Sequence, residues 1–169
     1  MSENRGDVVA RLPATAADRD VAGRVTREEV VDYFADRFGV PEAHLEEYAY
    51  YEKGAGRIWA YHGDHAGGET QVEALGLPVL RTRQEFWKPT TTAAQKFGPL
   101  ATECVIDLDD ADADAFVGGD TVEVDWDGDW GYLFAQHTLP GGERAVMGVG
   151  LFTHGELKSM VPKGRRREK

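Results

Sequence analysis

The chain has very few of the residues that most often carry covalent chemistry. Its 169 residues include one cysteine, Cys104, and two serines, Ser2 and Ser159. A single cysteine excludes an internal disulfide and any CxxC metal site, and neither serine stands in a G-x-S-x-G nucleophile elbow. Walker A and GxGxxG sequences are also missing. The sequence therefore predicts no catalytic residue, no resident metal and no cofactor, with Cys104 as a core thiol on a buried strand.

Long apolar runs are missing too. No stretch approaches the roughly 18 apolar residues of a membrane span, and the first residues lack the basic and then apolar order of a signal peptide. Since 41% of the residues are hydrophobic, the chain has enough apolar surface for a core. These features predict a soluble, cytoplasmic protein of one domain or two small ones, with no membrane partner.

Lysine is scarce, and charge of one sign dominates. Thirty acidic residues outnumber nineteen basic ones, of which six are lysine and thirteen arginine, so the net charge is −11. An acid excess with few lysines is typical of proteins that work in concentrated salt, where net repulsion is screened within about 3 Å at 1 M. An ordinary acidic protein is the alternative. On either interpretation the net charge says little about partners.

Residues 1–25 are polar without a clear period, which predicts a flexible lead-in. Thr26 and Glu29 then form a capping-box pattern ahead of a helix that ends at Gly39. Further elements are predicted in order: a short helix 41–47, a hairpin of Tyr48–Lys53 and Arg57–His62, and a helix, turn and extended piece within Val72–Arg81.

The second half is richer in short β-like runs. A threonine cap within the run Thr90–Thr92, two alanines and Gly98 predict one helix of two to three turns. Asp109–Phe116 is expected to make one further helical turn. The predicted strands are Glu103–Leu108, Thr121–Asp125, Gly131–His137 and Arg144–Phe152, separated at about the 8–12-residue intervals of a small barrel. We therefore expect an α+β chain with a lead-in (1–25), a small mixed α/β domain (26–85), a β-barrel-like domain (86–160) and a basic tail (161–169).

Basic residues gather at the end of this acidic chain. Residues 158–169 carry a local net charge of +5, a pattern that favours contact with nucleic acid. Phe86, Trp87 and Lys88 precede the predicted helix, and aromatic faces stack on unpaired bases. A solvated tail is the alternative for the charges, and packing in the core is the alternative for the aromatics.

Several short motifs in the second half occur together in one known family. They are LGLP at 75–78, FWKPT at 86–90, FG at 97–98, AFVGG at 115–119, MGVG at 147–150, GELKS at 155–159 and PKGR at 162–165. Over about residues 70–167 the chain resembles the PUA-like RNA-binding domain at the C-terminus of the Sun/Fmu family of rRNA cytosine-5 methyltransferases. It also looks like archaeal stand-alone proteins that lack the methyltransferase domain.

The resemblance implies a PUA-like β-barrel that binds RNA without catalysis. The family's Pro-Cys nucleophile motif is absent, because Cys104 follows Glu103. Ser159 also differs from the asparagine common at that position. The implied partners are structured RNA (rRNA or tRNA) and, in ribosome maturation or RNA modification, an RNA methyltransferase or ribosomal particle. The RNA-binding residues that the resemblance implies are Lys88, Thr90, Lys158, Lys163 and Arg165. Trp87 is added as an aromatic face for stacking, and Arg166 and Arg167 are added on charge alone.

Two other functions remain open at this point. One is a protein-interaction module of an RNA-modifying or ribosomal complex, without direct RNA contact. It would bind its partner through Val30, Phe34 and the aromatic hairpin, although these side chains also suit a core. The other is an enzyme that holds a metal with His62, His65 and a carboxylate, although surface histidines in turns are much commoner.

Overall fold

The computed structural model describes residues 8–19, 23–54, 56–62, 68–71, 76–83 and 86–162. The chain divides into two compact units, Met1–Lys88 and Pro89–Lys169. Each contains helices and a sheet of its own, so the chain is α+β.

In the residues that the structure describes, the first unit has one strand, then two α-helices, then a run of five strands, the last of which ends at the boundary with the second unit. These elements are β1 (Val8–Arg11), α1 (Arg27–Asp32), α2 (Glu42–Leu45), β2 (Tyr48–Lys53), β3 (Arg57–His62), β4 (Gly68–Gln71), β5 (Leu77–Arg81) and β6 (Lys88–Pro89). They form a six-stranded sheet in the order β4-β1-β2-β3-β5-β6. The predicted hairpin is confirmed at its stated bounds, with Tyr51 opposite Trp59.

Helix α1 starts where the sequence predicts. The Thr26 hydroxyl accepts from the Glu29 amide and the Glu29 carboxylate accepts from the Thr26 amide, so both halves of the capping box form. The helix continues beyond α1 as a π-helical turn at Tyr33–Arg37. Phe34 in this turn and Phe38 directly after it are fully buried. The predicted helix 41–47 is reduced to the four residues of α2.

The sequence pattern missed β1. This strand lies within the predicted lead-in and pairs with β2, placing Arg11 opposite Tyr51. A four-residue strand without polar alternation carries little periodic signal, because what stabilises it is the pairing with β2. The residues 72–75, where a short helix was predicted, lie outside the described residues, whereas the extended piece after them is β5.

The second unit begins with a helix and continues mainly as strands. Its elements are α3 (Thr91–Phe97), β7 (Val105–Asp107), α4 (Asp110–Val117), β8 (Thr121–Glu123), β9 (Gly131–Thr138), β10 (Arg144–Thr153) and β11 (Glu156–Ser159). The sheet order is β7-β9-β10-β11-β8, with β7 parallel to β9. No closed barrel is detected among the described residues, since this order ends at β7 on one side and β8 on the other.

Three of the motifs behind the family resemblance meet in the core of this unit. The Ser159 hydroxyl, on β11, donates to the Phe116 carbonyl of α4 at 2.8 Å. A Cβ on Gly150 of β10 would lie 2.6 Å from Leu157 and 3.0 Å from Phe116, both of which are fully buried. Glycine at 150 therefore lets α4 and β11 pack closely against β10. These motifs maintain the fold of the unit.

Candidate nucleic-acid interface

A cavity of about 260 Å³ opens in the second unit beside β10. Among its lining residues only Thr91 and Gln95 have polar side chains. The lining residues are Thr91, Gln95, Val117, Ala145, Val146, Met147 and Val161. Pockets for small molecules usually measure about 300–1,000 Å³, so this volume suits a single planar ring better than a larger ligand.

A bulge in β10 shapes this cavity. The register of β10 against β9 shifts between Val146 and Gly148, so Met147 is the extra residue. Its carbonyl accepts from the Gln95 side chain at 3.3 Å. Gly148 has no side chain, and a Cβ there would lie 3.3 Å from Val161 and 3.5 Å from Thr91, which are both lining residues. Glycine at 148 therefore lets Val161 and Thr91 pack closely against β10.

Lys158 is the only predicted RNA-binding residue that lies on a strand of this unit among the described residues. It is exposed on β11, opposite Leu151 on one side and Thr121 on the other. Because strand side chains alternate between faces, the neighbouring Leu157 and Ser159 point into the core while Lys158 points out. Lys158 therefore lies within β11, a strand that follows the last one predicted from the sequence, Arg144–Phe152.

Thr90 has a structural role that the RNA-binding prediction did not include. Its hydroxyl accepts from the Ala93 amide at 3.0 Å and so caps α3. That cap satisfies one of the amides that would otherwise attract a phosphate. Thr90 is half-buried.

Trp87 and Lys88 belong to the first unit. The Trp87 ring lies 5.7 Å from the Tyr33 ring, and the Trp87 carbonyl accepts from the Tyr33 hydroxyl at 3.2 Å. Trp87 and Lys88 are half-buried, whereas Phe86 is 53% exposed. Of the two aromatics at this position, Phe86 offers the more accessible face.

The remaining predicted residues, Lys163 and Arg165–Arg167, lie outside the described residues. The described chain before them ends at Val161, which is buried in the core, and Pro162, which is exposed. Because Val161 also lines the cavity, the basic segment begins two residues beyond the cavity wall.

His137 is the most strongly bound histidine in the described part of the second unit. Its Nδ1 lies 2.7 Å from the Leu108 carbonyl and its Nε2 lies 2.8 Å from Asp110 Oδ1. The Leu108 carbonyl and the carboxylates of Asp107, Asp109 and Asp110 hold the pKa of His137 above its usual value, against a smaller opposing effect of burial. The His137 side chain joins β9 to the start of α4, a contact that no pattern in the sequence indicated.

The groups considered for catalysis do not converge in the described residues. Cys104 was predicted on a buried strand, but it is half-buried in the turn before β7, with a left-handed φ of 52°. Within the same residues no cluster of three potential metal ligands occurs. The His62 side chain and the whole of His65 lie outside what the structure describes. No helix among the described residues is long and apolar enough to cross a membrane.

The aromatic hairpin is part of a core. Val30 and Phe34 are buried, and Tyr50 is held by hydrogen bonding of its hydroxyl to the Leu45 carbonyl at 2.7 Å. Tyr48 and Tyr51 are buried as well. The interaction module that needs these side chains at the surface has no support from this arrangement.

Two separate features, one in each unit, were not predicted from the sequence. One is the cavity, whose signal was the alternation of Gly148 and Gly150 along a strand, because glycines inside a strand often mark a close approach. The other is a group of three exposed arginines in the first unit, which no motif connects.

Comparison with known proteins assigns no activity. Residues 1–76 are similar to a family of unknown function, DUF7122, a match that covers less than half of the chain. No curated protein matches this sequence.

Proposed function

We propose that this chain is a non-catalytic, cytoplasmic RNA-binding protein whose second unit is a PUA-like domain, acting on rRNA or tRNA in ribosome maturation or RNA modification. The observation that carries the proposal is the position of the cavity at the start of the basic segment. Val161 lines the cavity, and Lys163, Gly164 and three arginines follow within six residues.

This succession along the chain suits the two parts of a nucleotide. An apolar cavity with a hydroxyl and a carboxamide can bind one unstacked base, because base edges need a few polar partners and base faces need apolar contact. Arginine and lysine side chains bind the phosphates. Lys158, exposed on the strand that leads to this segment, adds a further cation.

The salt dependence of RNA binding separates the contribution of the phosphate contacts from that of the base in the cavity. Counterion release makes phosphate contacts weaken steeply with salt, whereas stacking and burial of a base do not depend on it in this way. If the base-binding cavity is used, part of the affinity persists at high salt.

The test is a titration of a fluorescently labelled transfer RNA, followed by anisotropy at about 0.2 M and about 2 M KCl. The full chain is compared with a chain ending at Pro162. This end point keeps Ser159 and Val161, which are buried in the core. Circular dichroism in each salt checks that both proteins are folded.

A matched pair of neighbouring substitutions tests the cavity. Q95L removes the carboxamide from the wall, and K96Q removes a charge from the next exposed position of α3. We expect the loss of residues 163–169 to weaken RNA binding mainly at low salt. At high salt we expect Q95L to weaken RNA binding about tenfold, and K96Q to leave it unchanged. Failure of the full chain to bind RNA in either salt would refute the proposed function.

A further inference from the structure

Three exposed arginines converge at one end of the sheet in the first unit. Arg57 begins β3 and lies directly opposite Arg81, which ends β5. The ladder extends one residue further, because the Thr82 amide donates to the Gly56 carbonyl at 2.8 Å. Arg83 follows two residues after Arg81, beyond the end of β5, and is exposed like Arg57 and Arg81.

Arg83 is held close to this pair by a glycine. A Cβ on Gly56 would lie 2.4 Å from Cγ and 2.9 Å from the backbone nitrogen of Arg83. Gly56 has a φ of +74°, a left-handed conformation that favours glycine. The glycine therefore lets the stem of Arg83 pack against the residue that precedes Arg57.

These arginines have no carboxylate partner among the described residues, where none of the three makes an ion pair or a side-chain hydrogen bond. The carboxylate of Glu52, in the adjacent strand, is bound to Arg24 at 3.4 Å and to the Gly56 amide at 2.9 Å. Like charges directly opposite each other in an antiparallel pair destabilise a sheet. In a chain with thirty acidic and nineteen basic residues, this arrangement is explained if an anion binds between the guanidinium groups.

We propose that Arg57, Arg81 and Arg83 form a phosphate-binding site for the RNA backbone on the first unit. This inference rests on the proposed function and adds a second contact surface, which we call the arginine triad. A guanidinium presents a planar fork that binds two phosphate oxygens at once. The opposed pair Arg57 and Arg81 binds one phosphate, and Arg83 binds a neighbouring one. Phe86, three residues after Arg83 and 53% exposed, supplies an aromatic face of the kind on which bases stack.

The experiment uses the full chain with the substitutions R57Q, R81Q and R83Q, one at a time. The probe is the same labelled transfer RNA, titrated over KCl concentrations from about 0.1 to about 0.5 M. K96Q, in the second unit, is the control because it removes one exposed charge outside the triad. We expect each triad variant to weaken binding about tenfold at the lowest salt and to reduce the slope of log affinity against log salt by about 1. K96Q should change neither.

Thermal unfolding without RNA distinguishes binding from folding. Since the three side chains are exposed and repel one another, the glutamine variants should melt at or above the wild-type temperature. If R57Q melts lower, R57K is measured as well. It keeps the charge but lacks the guanidinium fork, so it should bind RNA more tightly than R57Q and more weakly than the wild type.

The outcomes separate the two proposals. In one outcome the wild type binds RNA, and the triad variants match K96Q in affinity and in the slope of log affinity against log salt. That result would overturn the arginine triad and leave the proposed function standing. Absence of RNA binding by the wild type would overturn both.

Discussion

Gly150 is the position where the structure makes the sharpest prediction about stability. It lies in the extended backbone of β10, where alanine is conformationally acceptable, so a substitution tests space alone. A Cβ at this position would lie 2.6 Å from both Cγ and Cδ1 of Leu157 and 3.0 Å from Cε2 of Phe116. Both neighbours are fully buried, Leu157 on β11 and Phe116 on α4.

Overpacking a well-filled core by a methyl group costs about 1–3 kcal/mol. We place G150A in the upper half of that range, because the closest contacts involve buried carbons of two different elements. In a chain of this size about 1 kcal/mol lowers the melting temperature by roughly 2–4 °C. The expected fall is therefore about 4–12 °C.

The matched control is G141A, in the turn between β9 and β10. No atom lies within 4 Å of a Cβ built there, and replacing glycine in an open, compatible position stabilises by at most about 1 kcal/mol through the unfolded chain. Urea unfolding followed by circular dichroism, in a buffer whose salt keeps the wild type folded, measures both variants. A free energy of unfolding for G150A within about 0.5 kcal/mol of the wild type would refute the reasoning.

Two further predictions concern polar contacts of the second unit. S159A removes a buried hydroxyl that donates to the Phe116 carbonyl at 2.8 Å and accepts from the Val161 amide at 3.2 Å; it should lower the free energy of unfolding by about 1–3 kcal/mol, whereas the exposed substitution T121A should change it by less than about 0.5 kcal/mol. Because the pKa of His137 is raised in the folded state, its protonation stabilises the fold. This stabilisation is fully present below the unfolded pKa of about 6.5 and is lost as the pH rises through the folded pKa. Urea unfolding across this range should therefore show a larger loss of stability in the wild type than in H137Q, and identical pH profiles would contradict the assignment.

Local sequence patterns were sufficient for elements with a short-range cause. The Thr26 capping box, the hairpin that begins at Tyr48 and the threonine cap, at Thr90, all formed as predicted, because each depends on hydrogen bonds between residues close in the chain. Strand β1 did not show in the sequence, because the pairing that stabilises it joins Arg11 to residues near Tyr51.

The candidate sites depend on contacts that no local pattern contains. The sequence by itself determined the acidic composition, the shortage of nucleophiles and the basic end of the chain. Only the tertiary structure decided that a bulge at Met147 opens a cavity next to Val161, and that Arg57 faces Arg81 across two strands. Register and packing join residues that are tens of positions apart, and these long-range contacts are selected by the burial of the whole core.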